Sequence, residues 1–495
     1  MKAFNQYEIW FLIGSQHLYG DETLQKVEEH ARAITEFLNA AAHIPVKIVC
    51  RKVVTSSKEI EQVIKEANYN DDCIGIMTWM HTFSPSKMWI RGLHVLEKPM
   101  LHLHTQFNRM IPLEKIDMDF MNLNQSAHGD REHGFIGARM RIPRKVVVGF
   151  YQDESVANEI GVWMRAAVGI AESRKLNVVR FGDNMRDVAV TEGDKVEAEI
   201  VLGWSVNTHG VGDLAAGVRE ITEGQIDALY AECEEKYSMP KENVDAVRYQ
   251  LKIEAALRRF LEKENFGAFT TNFQDLWGME QLPGLACQRL MESGYGFGGE
   301  GDWKIAALQR IMKLMGTGLE GGAAFMEDYT YHFEPENELI LGAHMLEVDP
   351  SIAEGEIRVD TYPLGIGDRR PPARMIFESA AGKAITVSLV DMRGRMRMIA
   401  ADVECVKPIG KMPRLPVAST MWKPLPDLKT SAKAWILSGG AHHSVLSYAL
   451  DAEHMSEFAK MAGIEFIHIG NGIDMDQFER DLMLSDLYWQ TALQR

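Results

Sequence analysis

Several short stretches of the 495-residue chain hold the residue types that divalent-metal and proton-transfer chemistry needs. Residues 294–301 contain a literal GxGxxG, from Gly296 to Gly301. A dinucleotide site on this motif needs a strand before it, a helix after it and an acid about 20 residues on. Residues 303–315 read as the following helix, but residues 286–293, ahead of the motif, also read as helical. Glu300 would stand where a pyrophosphate must sit, and a carboxylate repels that anion. The glycines are read instead as folding the backbone closely around a presented Glu300; no nucleotide cofactor is expected. Residues 325–332 put Glu327 and Asp328 at the end of an apolar run, where the texture turns from α/β to β. Open α/β sheets place ligands at such points, although both acids also suit a solvated turn.

Residues 341–347 set a lone His344 in an apolar stretch, a context shared with hydrogen-bonded core histidines. In residues 437–444 small residues precede the adjacent His442 and His443. This stretch follows the strand-like 434–436 and is expected to open a helix, with one of the two imidazoles facing a cleft. Together these segments offer two carboxylates and two imidazoles. That donor set suits a divalent first-row metal, Mn²⁺ or a close relative, and the lack of thiolate argues against structural zinc. Such a site polarises a carbonyl while nearby carboxylates move protons.

The surrounding pattern shows how these residues are to be positioned. Apolar runs at 9–13, 46–50 and 73–78 read as buried strands, separated by amphipathic helices at 21–42 and 57–67. Strands alternating with helices of this length mean βαβ units and a mostly parallel sheet. A second such block is expected to open near 145–149, continuing through a helix at 154–174, a strand at 177–181, helices at 225–237 and 244–263, and a strand at 268–272. Beyond Glu327, segments 356–360, 384–390 and 395–406 read as consecutive strands of an antiparallel, barrel-like or sandwich module. Five of the 17 prolines fall between Pro408 and Pro426, which predicts an extended crossing segment and no central strand there. Helical patterns at 443–462 and 474–487 close the chain. The expected architecture is α/β: two Rossmann-like or flavodoxin-like parallel-sheet domains, 1–170 and 171–328. A mainly antiparallel β domain with a short helical tail, 329–495, follows.

Composition narrows the class. Lys and Arg number 53 against 70 Asp and Glu, and the net charge of −17 argues against a partner that demands clustered cations, as nucleic acid does. No apolar run approaches the roughly 20 residues that span a bilayer. The first residues enter a strand-like segment without a signal-peptide core, and the five cysteines form no CxxC pair. A cytoplasmic protein with reduced thiols is expected.

The segments Ile13-Gly14-Ser15-Gln16-His17-Leu18-Tyr19-Gly20, Trp79-Met80-His81-Thr82-Phe83-Ser84-Pro85 and Asn122-Leu123-Asn124-Gln125-Ser126-Ala127-His128-Gly129 stand out, as do 295–303, 325–332 and 439–443. With these, nearly the whole chain resembles the L-arabinose isomerases, and the segments stand in that family's order. Ser444 occupies a position where many members have Thr. The resemblance implies an intramolecular oxidoreductase of carbohydrate metabolism that converts L-arabinose to L-ribulose through a cis-enediol, and D-galactose to D-tagatose as a second conversion. It implies Mn²⁺, with Co²⁺ or another divalent metal as substitute, bound by Glu300, Glu327, His344 and His443. Glu300 and Glu327 would be the acid/base pair. Gln16, Leu18, Tyr19, Phe83, Gln125, His128, Met185 and Phe273 would contact the sugar. A homo-oligomer, commonly a hexamer, with each cleft completed by a neighbouring subunit is also implied. The rival readings are an isomerase of another aldose such as L-fucose, a non-catalytic sugar binder, and an NAD-dependent oxidoreductase using residues 296–301.

Overall fold

The computed structural model describes residues 2–366 and 368–492. It divides into two compact units, one ending at Ala171 and the other beginning at Glu172. In the first unit, β1 (Phe4–Ile13), β2 (Val46–Cys50), β3 (Cys73–Trp79), β4 (Met100–His104) and β5 (Lys145–Val148) form a parallel sheet. Its order is β2-β1-β3-β4-β5, the flavodoxin-like winding. Every residue of β3 is buried, which is why it reads as an unbroken apolar run and not as an alternation. The helix Gly20–Ala40 buries Val27, Ala31, Ile34 and Leu38, at the three-and-four spacing of one helical face.

β5 differs from expectation. It does not open a second block but pairs with β4 from Leu101↔Lys145 to His104↔Val148, and so completes the first sheet. A run of three valines has the same local pattern in either place. The free edge of β4 decides which sheet it joins.

In the second unit, β6 (Asn177–Phe181), β7 (Ser205–His209), β8 (Ala268–Thr271) and β9 (Gly296–Gly298) make a smaller parallel sheet in the order β7-β6-β8-β9. The chain leaves β9 through the Glu300 turn into the helix Trp303–Met315, whose N-cap Asp302 accepts a hydrogen bond from the Ile305 amide. That helix lies directly on β9. A Cβ at Gly298 would overlap the Asp302 carbonyl oxygen, so only glycine permits the approach.

The remaining strands are β10 (Ala323–His332), β11 (Leu339–Ala343), β12 (Ala353–Thr361), β13 (Ala373–Ser379), β14 (Gly382–Asp391), β15 (Met396–Val406), β16 (Ser419–Pro424), β17 (His443–Ser447) and β18 (Glu465–Ile469). Of these, β10, β11, β16, β15, β14 and β17 pair antiparallel in that order, and β17 pairs back onto β10. The ring is a closed antiparallel barrel, and closure removes the exposed edges an open sheet would carry. β12 and β13 extend it as a hairpin beside β16, and β18 adds parallel to β15.

Two local expectations fail here. The proline-rich stretch 408–426 contains β16, an interior strand hydrogen-bonded to both β11 and β15. The strand fits because it runs between Pro416 and Pro424, and Pro424 sits at its last position. Around the paired histidines the order of elements is reversed. Residues 434–436 belong to the helix Leu428–Leu437, started by an Asp427 cap on the Thr430 amide, and His443 opens β17 instead of a helix. A short apolar run satisfies either period. Burial of Val445 and Leu446 between β10 and β14 selects the strand.

Candidate active site

Glu327 is not at the end of an α/β strand, as expected, but in the interior of β10 in the barrel wall. In register it lies opposite His443 on β17 and opposite Ala343 on β11, the residue directly before His344. Directly opposed residues of antiparallel strands share a face, so barrel register puts Glu327 on the face of His443. Its carboxylate is outside the group of ligand atoms that Glu300, His344 and His443 form. Glu300 arrives from the β9 turn, where its backbone is left-handed at φ 61°. A non-glycine residue pays about 1–2 kcal/mol for that conformation. A Cβ at the preceding Gly299 would lie 3.1 Å from the His344 ring, which keeps this turn close to the imidazole.

The ligand atoms of Glu300, His344 and His443 all lie within 4.8 Å of one another. Both imidazoles are buried and pack on Phe325, with ring centroids 4.7 and 5.1 Å away. Each has a carboxylate at Nδ1: Glu347 at 2.6 Å from His344, and Asp302 at 3.2 Å from His443. An ionised carboxylate only accepts, so Nδ1–H donates and the Nε2 lone pair is left for the site. Both Nε2 atoms are buried without a hydrogen-bond partner. Two orphaned imidazole nitrogens beside a carboxylate are a donor set that fits a divalent metal ion.

Electrostatics treats the two rings differently: burial acts to lower the His344 imidazole, but Glu347, Glu327 and Glu300 outweigh it and raise it. Burial alone would raise the Glu300 carboxyl, but His442, His443 and His344 outweigh it and hold it below its ordinary value. Burial depresses the His443 imidazole, which favours the neutral ring a metal ligand needs. Burial and the adjacent Glu327 push Asp328 up to about 7.

The expected sugar contacts fall in both units. Met185 donates its amide to the Glu300 carbonyl at 2.9 Å, and Phe273 lines a small cavity together with Glu300, His344 and Glu347. In the first unit, Gln16, Leu18 and Tyr19 follow β1, and Phe83 follows β3, at the carboxyl ends of parallel strands where such sheets bind ligands. The Tyr19 hydroxyl donates to Gln125 at 3.3 Å, and the Phe83 and His128 rings lie 4.7 Å apart. Leu18 is 83% exposed.

A second histidine–carboxylate group, His102, His104 and Asp130, occupies the first unit. Its hydrogen bonds are internal: Asp130 accepts from both rings at 2.9 Å and from the Met80 amide. Neither ring of this group has a buried nitrogen left without a partner, unlike His344 and His443 of the Glu300 cluster.

Local sequence reasoning placed only one of the paired histidines at the site and overlooked two carboxylates. His442 Nε2 lies 3.6 Å from Glu300, so both adjacent histidines face this carboxylate. Those carboxylates are Asp302 and Glu347, the partners of the two imidazoles. The available signals were their spacings, two residues after Glu300 and three after His344.

Comparison with known proteins decides the family. Models of the N-terminal, central and C-terminal domains of L-arabinose isomerase match residues 3–175, 177–318 and 322–465. The L-arabinose isomerase of Thermotoga petrophila is 55% identical over 491 residues, 99% of each chain. The L-arabinose isomerase of Geobacillus kaustophilus is 54% identical over 496 residues, 99% of this chain and 100% of its own length. The chain belongs to the L-arabinose isomerase family. As a member of the L-arabinose isomerases it is an enzyme of the aldose–ketose isomerase class. The parallel sheets and closed barrel described above are the scaffold on which this member carries its Glu300 cluster.

Proposed function

We propose that the protein converts L-arabinose to L-ribulose, and D-galactose to D-tagatose, by proton transfer through a cis-enediol. The observation that carries this reading is the pair of buried, unpartnered Nε2 atoms of His344 and His443 beside the Glu300 carboxylate. Glu300, Glu327, His344 and His443 would hold a divalent ion, Mn²⁺ or in its place Co²⁺. When bound, such an ion stabilises negative charge on the oxygens of the substrate.

The residues of the chain supply the proton movements. Of Glu300 and Glu327, one takes the proton from C2; the electron pair left behind forms the C1–C2 double bond as O1 gains a proton. The O2 hydroxyl then loses its proton and C1 gains one, with the second carboxylate serving the oxygens. C2–H and O2–H are thereby exchanged for C1–H and O1–H. Positioned carboxylates of this kind are each worth about 10²–10⁴ in rate. Gln16, Leu18, Tyr19, Phe83, Gln125, His128, Met185 and Phe273 contact the sugar in this reading.

The same reading includes a homohexamer in which a neighbouring subunit completes each cleft. The exposed Met110, Ile111, Leu113 and Met118 of the first unit supply apolar surface for such an interface. It also includes a cytoplasmic location, in keeping with five unpaired cysteines. Among the described residues, no helix is long and apolar enough to cross a membrane.

The test is a chelator-stripped sample assayed on L-arabinose, D-galactose and L-fucose, with divalent ions added back singly. Activity restored by Mn²⁺ or Co²⁺, with the highest kcat/KM for L-arabinose, is expected. Full activity without added metal, or a preference for L-fucose, overturns the reading. In deuterated water the ketose should carry label at C1; an unlabelled product means a hydride shift instead.

A further inference from the structure

Lys304 is 0% exposed and Asp302 is 1% exposed, and both stand on the first turn of the helix that follows Glu300. The Lys304 ammonium donates to the Thr191 carbonyl at 2.9 Å and the Glu192 carbonyl at 2.8 Å, and forms an ion pair with Asp302 Oδ1 at 3.1 Å. Asp302 divides its two oxygens. Oδ1 takes Lys304 and the Ile305 amide, while Oδ2 lies 3.2 Å from His443 Nδ1. The loop that anchors the lysine is itself tied to the Glu300 turn, because Asn184 Nδ2 donates to the Gly301 carbonyl at 3.1 Å and to the Thr191 carbonyl.

Stability does not account for this arrangement. Removing an ammonium and a carboxylate from water costs several kcal/mol per ion, and apolar residues of the same volume often do as well or better. Apolar residues in place of both members of the pair would avoid that cost. What an apolar side chain would not do is hold the carboxylate of Asp302 by one oxygen while its other oxygen faces an imidazole.

We propose that Lys304 and Asp302 form a buried positioning relay that fixes the ring orientation and tautomer of His443, so that its Nε2 lone pair is presented to a divalent cation beside Glu300. Neither residue is assigned contact with the substrate; both act through His443. The proposal rests on the metal-centre reading above. Partners of this kind behind a metal-bound histidine typically change metal affinity by about 10–100-fold.

The experiment titrates Co²⁺ into chelator-stripped full-length protein, reading visible absorption and competition with a chelator of known affinity. Wild type, Lys304→Met, Asp302→Asn and the double variant are compared, with the metal-free thermal midpoint of each. Each single substitution should weaken Co²⁺ binding by about 10–100-fold and alter the absorption band. The double variant should bind no more than about 3-fold worse than the weaker single, because both changes cut one relay. Lys304→Met leaves the buried Asp302 carboxylate without its cation, so its metal-free midpoint should fall, and the double variant, which removes both charges, should recover part of that loss. Wild-type affinity in Lys304→Met, or losses that multiply in the double variant, overturns the relay. If Lys304→Met does not fold, the isosteric Asp302→Asn decides, and unchanged affinity and spectrum there overturn it. A folded wild type that binds no Co²⁺ instead overturns the metal-centre reading itself.

Discussion

Each imidazole of the Glu300 cluster is held from behind by a carboxylate and left open in front. His344 has Glu347 and His443 has Asp302 at Nδ1, and both Nε2 atoms are unpartnered. Burial of those open nitrogens separates the site from the His102–His104–Asp130 group, where one carboxylate serves both rings and no buried ring nitrogen is left unpartnered. Glu347→Gln keeps the shape but removes the charge that His344 leans on. It should weaken Mn²⁺ binding by about 10–100-fold, measured by equilibrium dialysis of the stripped protein. Glu300→Gln and Glu327→Gln should each lower kcat by about 10²–10⁴-fold on L-arabinose. A variant of either that kept full activity would remove that residue from the proton-transfer scheme.

At the level of elements, the site depends on how closely the helix Trp303–Met315 sits on β9 and on the register of β10 between β11 and β17. Gly298→Ala inserts a methyl group against the Asp302 backbone. Overpacking of this kind costs about 1–3 kcal/mol. The helix must shift, carrying Asp302 with it, so denaturant unfolding should report the lost stability and Co²⁺ binding should weaken in the same variant. Phe325, fully buried in β10, is the apolar floor on which His344 and His443 rest. Phe325→Ala should cost about 3–5 kcal/mol, read from the urea midpoint, because it opens a cavity as well as removing contacts.

Across the second unit, a buried charge cluster fastens the closing helix to the barrel. Glu465 on β18 accepts from Arg395 Nε and Arg397 Nε, both on or beside β15 and both at 2.7 Å, and from Ser485 on the helix Met475–Ala492. Arg397 also reaches Asp486 at 3.0 Å. Burial acts to raise the Glu465 carboxyl, but Arg397, Ser485 and Arg395 outweigh it, and the group is held below its ordinary value. A depressed folded-state pKa gives stability that is complete above the unfolded value, about 4.3, and lost as pH falls through the folded one. Wild-type stability towards chemical denaturant should therefore fall on acidification below about pH 5. Glu465→Gln should lower stability near neutrality by about 3–5 kcal/mol and flatten that acid limb. An unchanged acid limb in Glu465→Gln would assign the acid sensitivity to other carboxylates.

Periodicity alone made the first sheet, the helix stripe of Val27, Ala31, Ile34 and Leu38, and the β-rich last third legible, because burial on one face repeats at a fixed interval along the chain. Residue type alone marked Glu300, Glu327, His344 and the 442–443 pair, because few side chains serve as both donors and proton carriers. Chain order could not show which sheet Lys145–Val148 would complete, that a strand would fit between Pro416 and Pro424, or that His443 would open a strand. Those outcomes depend on partners far away in sequence: the vacant edge of β4, the gap between β11 and β15, and the pairing of β10 with β17. The same holds for the site. Sequence determined which side chains were available; barrel closure and one glycine-permitted helix contact determined that Glu300, His344 and His443 converge, because hydrogen-bond register and backbone approach exist only between folded elements.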